Sequence, residues 1–109
     1  MNWIDLNEDA QLEKIKELSG RRVQVIFKHS TRCAVSSIAK SRLERSLSPE
    51  SVDFYYLDLI KHRRLSDKIA HDFDVYHQSP QVLLIKNGSC IYEESHNGIT
   101  MEEITEQAL

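Results

Sequence analysis

The chain has 109 residues, 40% of them apolar and 28% charged, and a formal net charge of −3. That composition is ordinary for a soluble globular chain, with room for one domain over residues 1–109 and not for two. Basic and acidic residues are interspersed, which argues against nucleic-acid binding, because that activity needs a clustered basic face. Arg42-Leu43-Glu44-Arg45 and Lys61-His62-Arg63-Arg64 are short and lie near carboxylates, so they read as solvated helix faces.

In chain order, Leu12, Ile15 and Leu18 share a helical face, with Asn7 as the expected N-cap and Ser19-Gly20 as the stop. Val23-Gln24-Val25-Ile26-Phe27 is β-branched and mostly apolar, the pattern of a central strand buried on both faces. From Cys33, the residues Val35, Ile38, Ala39, Leu43 and Leu47 recur at helical spacing until Ser48-Pro49. Val52 to Leu59, carrying Phe54, Tyr55, Tyr56 and Leu57, predicts a second central strand. Leu65, Ile69 and Phe73 mark a third helix. Gln81 to Lys86 and Ser89 to Tyr92 flank Asn87-Gly88, a hairpin signal because a type I′ turn needs positive φ at both positions. Asn97-Gly98 turns the chain again, and Thr100 with Glu103 has capping-box spacing for a last helix. The expected fold is α/β, a mixed central sheet of about four strands with helices on both faces.

Cys33 follows a strand and opens a helix, where unpaired N–H groups and the positive end of the helix dipole favour a thiolate. Arg32 beside it and Lys28 nearby add positive charge. The thiolate is the nucleophile of disulfide exchange, and such surroundings are where reactive cysteines are found. A structural cysteine is the competing reading, and the polar neighbours Ser30, Thr31 and Arg32 count against it. Ser36 stands where a dithiol oxidoreductase would carry its resolving cysteine. A hydroxyl cannot attack a mixed disulfide, but it can donate a hydrogen bond to the Cys33 thiolate. Cys90, just past the Asn87-Gly88 turn, is expected at the opposite end of the sheet, beyond the ~7 Å Cα limit for a disulfide, and is read as a packing residue. Ser79-Pro80 is a candidate cis peptide.

Met1-Asn2-Trp3-Ile4-Asp5 lacks the basic and apolar regions of a signal peptide, and no apolar run suits a membrane span. A cytoplasmic location is expected, where cysteines are more often thiols than structural disulfides. His29 and Cys33, or His71 and His77, do not have zinc-site spacing, so no metal is expected, and there is no Gly-rich phosphate loop.

His29-Ser30-Thr31-Arg32-Cys33-Ala34-Val35-Ser36 resembles the active-site motif of the monothiol bacilliredoxin (YtxJ-like) family, and His77-Gln78-Ser79-Pro80-Gln81 resembles its proline loop. Lys86-Asn87-Gly88 looks like the turn that follows the cis-proline in thioredoxins generally. The resemblance runs from Trp3 into the last helix and implies a thioredoxin-like fold. It also implies Cys33 as catalytic nucleophile, Thr31, Arg32 and Ser36 as thiolate-tuning groups, and Ser79 and Pro80 as substrate-binding residues. Ala34 departs from the proline or serine often found there, which bears on redox poise. The implied activity is removal of bacillithiol from S-thiolated proteins, with bacillithiol or a similar low-molecular-weight thiol as co-substrate and no tightly bound cofactor. Other readings are a general low-molecular-weight-thiol disulfide reductase and a non-catalytic thioredoxin-fold adaptor. A glutaredoxin-type iron–sulfur carrier ranks below these, because Ala34-Val35 replaces the Gly-Phe characteristic of that type.

Overall fold

The computed structural model describes residues 1–109, and nearly every apolar run of the sequence becomes a strand or a helix face. In order these are β1 (Trp3–Asp5), α1 (Asp9–Leu18), β2 (Gln24–His29), α2 (Ala34–Arg45), β3 (Asp53–Asp58), α3 (Arg63–Asp72), β4 (Gln81–Lys86), β5 (Ser89–Ser95) and α4 (Met101–Gln107). One sheet holds all five strands in the order β1-β3-β2-β4-β5. Strands β1, β3 and β2 are parallel, whereas β4 runs antiparallel to β2 and to β5. The expected sheet of about four strands therefore gains a fifth. That extra strand, β1, is three residues long, too short for any periodicity to announce it.

Each face of the sheet carries its own core. One joins Val25, Phe27, Phe54 and Leu84 to Ala39 and Leu43 of α2 and Ile104 of α4. The other joins Ile26, Leu57, Leu83 and Ile85 to Leu12 and Ile15 of α1 and Leu65 and Ile69 of α3. Central β2 is buried along its whole length, polar Gln24, Lys28 and His29 included. None of the helices is long and apolar enough to cross a membrane.

Local corrections have physical causes. The N-cap of α1 is Glu8 and not Asn7. The Gln11 carboxamide reaches back to accept from both the Asn7 and Glu8 N–H groups, at 2.8 and 2.9 Å, and donates to the Asp5 carbonyl at 2.8 Å. On α2 the buried stripe is Ser36, Ala39 and Leu43. Val35 and Ile38 each stand one position earlier, about 100° around the helix, and lie 38% and 55% exposed. Leu47 lies beyond the helix end and is also exposed.

The hairpin closes with Asn87 and Gly88 at φ 52° and 78°, and Ser19 clasps it by accepting from both turn N–H groups. Farther along, the register shifts so that Leu84 pairs with Tyr92 but Ile85 with Cys90. The extra residue is Ile91. It sends Cys90 to the α1/α3 face and Tyr92 to the α2/α4 face, where simple alternation would place both on one side.

Candidate active site

The chain leaves β2 at His29 and enters α2 through Ser30-Thr31-Arg32-Cys33, a turn closed by the Cys33 N–H donating to the Ser30 carbonyl at 3.2 Å. Cys33 is the N-cap of α2, with extended backbone (φ −116°, ψ 120°), a free thiol and partial exposure. Its sulfur makes no capping hydrogen bond. The N–H groups of Ala34, Val35 and Ser36 have no protein acceptor, so three donors and the positive helix end gather beside the sulfur.

Ser36 is fully buried and is not a partner of that sulfur. Its hydroxyl accepts the Ser30 N–H at 3.0 Å and lies 2.6 Å from His29 Nδ1. His29 sits between Phe27 and Tyr56, with ring centroids 5.9 and 5.5 Å away. Burial, aided by the Lys40 charge, holds the imidazole below its ordinary range, so at neutral pH the ring is uncharged. A neutral ring with Nδ1 as acceptor lets Ser36 donate to His29 while it receives Ser30. Thus the hydroxyl expected to tune the thiolate is committed to a clasp that pins the active-site turn. His29, which the sequence offered only at a spacing from Cys33 unsuited to zinc, is the residue that commits it. Ser36→Ala should leave His29 Nδ1 and the Ser30 N–H unpaired and cost about 1–3 kcal/mol. Urea denaturation would measure this, and an unchanged midpoint would mean the clasp does not hold the turn.

The other motif residues divide between solvent and the interior. Thr31 and Arg32 are exposed, and neither side chain hydrogen-bonds within the protein. Lys28, expected to lend charge to Cys33, is instead completely buried. Its ammonium donates to the Ser66 carbonyl at 3.1 Å and lies 3.3 Å from His77 Nδ1. Burial pushes the Lys28 ammonium down to about 8, with Asp67 opposing. His77 is likewise lowered by burial and by Lys28.

Because β4 is antiparallel to β2 and Gln81 pairs with Lys28, the segment before β4 reaches the sheet next to the Cys33 turn. That segment contains Ser79-Pro80, whose peptide bond is cis. Gln81 holds it: its amide donates to the Tyr76 carbonyl at 2.9 Å and to Glu93 at 3.0 Å, and its oxygen accepts the Gln78 N–H. The Ser79 hydroxyl is buried without any hydrogen-bond partner. Cys90 pairs with Ile85, opposite Gln24, at the other end of β2 and roughly 16 Å along the strand from His29. It is half-buried against the α1/α3 core, donates its S–H to the Tyr92 carbonyl at 3.3 Å, and is raised by burial.

A mixed sheet with helices on both faces and a cysteine between β2 and α2 defines a thioredoxin-fold protein of the thiol oxidoreductase class. Solved structures agree. A protein assigned provisionally as an oxidoreductase with a thioredoxin fold is 30% identical, with TM-score 0.83 over 95% of this chain and 91% of that one. Malassezia sympodialis thioredoxin is 17% identical (TM-score 0.80, covering 99% and 92%), and Fasciola hepatica thioredoxin 20% identical (0.73, covering 95% and 94%), so these two speak to the fold. The description of the family monothiol bacilliredoxin BrxC matches residues 4–104, and the chain belongs to that family.

Proposed function

We propose that the protein removes bacillithiol from protein mixed disulfides by monothiol exchange at Cys33. The observation that carries this reading is a free, partly exposed cysteine at the N-cap of α2, followed one helical turn later by a buried serine. The Cys33 thiolate attacks the bacillithiol sulfur of the mixed disulfide. A new S–S bond joins Cys33 to bacillithiol, the old one breaks, and the target cysteine leaves as a thiolate that takes a proton from water. No second thiol of the chain can follow, since Ser36 is a hydroxyl and Cys90 lies at the far end of the sheet. A second bacillithiol thiolate therefore attacks the adduct, leaving as the symmetrical disulfide and returning Cys33 as a thiolate.

The surroundings suit a protein-bound substrate. Val35 and Ile38 offer exposed apolar surface on the turn of α2 that follows Cys33. The unpaired Ser79 hydroxyl is the kind of buried polar group that a bound ligand satisfies. Ser79 and Pro80 would line the substrate groove, and exposed Thr31 and Arg32 would meet the incoming disulfide. Two free thiols fit a reducing cytoplasm.

Intact mass after mixing the reduced protein with a bacillithiolated substrate tests the reading. One bacillithiol adduct, retained in Cys90→Ser and matched by released substrate thiol, is expected. Equal rates on a glutathionylated substrate would favour a general low-molecular-weight-thiol reductase, and no adduct on either would leave a non-catalytic adaptor.

A further inference from the structure

A lysine is a costly side chain to place in a protein interior, because its ammonium loses hydration that only good hydrogen bonds replace. Lys28 is fully buried at the end of central β2, and no carboxylate pairs with it. A methionine would fill the same space without that penalty, so the amine has to be explained by what it binds.

What it binds is specific. Lys28 Nζ donates to the Ser66 carbonyl of α3 and lies 3.3 Å from His77 Nδ1, which is also 3.3 Å from the Ser66 hydroxyl. One amine thus ties together β2, α3 and the segment Tyr76–Pro80. The tie falls at the point where that segment enters the sheet beside the Cys33 turn, since Lys28 and Gln81 are register partners. Gln81 fastens the segment from its other side, through Tyr76 and Gln78. Between these two anchors lies Ser79, whose hydroxyl is buried and unpaired. The charged groups that bear on the cluster are Asp67 and Arg63, both from α3.

We propose that Lys28 is a positioning residue, which through His77 holds the Ser79-Pro80 segment where a mixed disulfide must dock against it. The proposal rests on the exchange function given above. Its role is in docking and not in the nucleophile: Lys28 spends its hydrogen bonds on Ser66 and His77, and none on Cys33.

The test compares wild type with Lys28→Met, His77→Leu and His77→Gln. Methionine keeps the buried volume, leucine removes the acceptor at the segment's end, and glutamine restores one. Three quantities are read: KM and kcat on a bacillithiolated protein, alkylation of Cys33 by iodoacetamide, and amide hydrogen exchange over residues 76–79. Lys28→Met and His77→Leu should raise KM about tenfold, with kcat and alkylation within about twofold. Amide exchange over 76–79 should quicken about tenfold in both, and His77→Gln should stay close to wild type in every reading. Unchanged KM and unchanged amide exchange in Lys28→Met and His77→Leu would overturn the proposal. So would a parallel loss of alkylation and exchange activity, which would mean that Lys28 acts on the thiolate. If wild type itself fails to turn over the mixed disulfide, the proposed function falls, and amide exchange over 76–79 alone decides whether Lys28 positions the segment.

Discussion

Cys33→Ser is expected to reduce thiol exchange to the uncatalysed background while leaving the protein at least as stable as wild type. The two effects have separate origins. Exchange requires a sulfur that can form and break S–S bonds, and a hydroxyl forms no such bond. Stability depends on the helix end, where the sulfur of Cys33 makes no capping hydrogen bond and the N–H groups of Ala34, Val35 and Ser36 have no protein acceptor. Serine is among the preferred N-cap residues, because its short hydroxyl accepts from the N–H two or three positions on. The extended backbone at position 33 is the conformation that such a cap uses. A gain of up to about 1 kcal/mol is the expected sign and size. Release of thiol from a mixed disulfide measures the first effect, and the urea midpoint followed by fluorescence of Trp3, the sole tryptophan, measures the second. Residual catalysed exchange in Cys33→Ser would assign chemistry to Cys90, the one remaining thiol.

Much of this arrangement was legible because it rests on local chemistry. Val23 to Phe27 could only be a strand buried on both faces, and Asn87-Gly88 has the two residues that accept positive φ most readily. Cys33 declared itself by following such a strand and opening a helix. The misses involve partners distant in sequence. Val35 and Ile38 have helical spacing with Leu43, but the sheet-facing stripe is set by what packs opposite, and there a serine is preferred to a valine. Nothing near Ser36 in the sequence says that its hydroxyl belongs to His29, because that pairing depends on β2 and α2 crossing. Lys28 reads as positive charge lent to Cys33 until α3 and the segment before β4 close over it, 38 and 49 residues away in sequence. The bulge at Ile91 was hidden for a related reason, since strand alternation is a local rule and register is set by the neighbouring strand.

Phe27→Ala should be the most damaging substitution in the core, and its effect ties the interior to the active-site turn. The ring is fully buried, stacks on Trp3 with centroids 5.5 Å apart, and stacks on His29 at 5.9 Å. Truncating a buried phenylalanine to alanine costs about 3–5 kcal/mol, through lost transfer free energy and the cavity left behind. Against a total stability of about 5–15 kcal/mol for a domain of this kind, that is a large fraction. With a urea slope of about 1–3 kcal/mol/M, the midpoint should fall by roughly 2 M. Trp3 reports the change directly, because its indole stacks on the deleted ring and keeps only edge contacts with Phe54 and Tyr56 and one hydrogen bond to Glu44 at 2.8 Å. The same cavity removes one wall of His29, the residue that holds Ser36 and, through Ser36, the Ser30 N–H of the turn. Even below the denaturation midpoint, then, amide exchange at Ser30 should quicken more than at the Asn87-Gly88 turn, which Ser19 clasps at the opposite end of the sheet. Equal quickening at both places would mean that Phe27 stabilises the domain as a whole and gives the turn no support of its own.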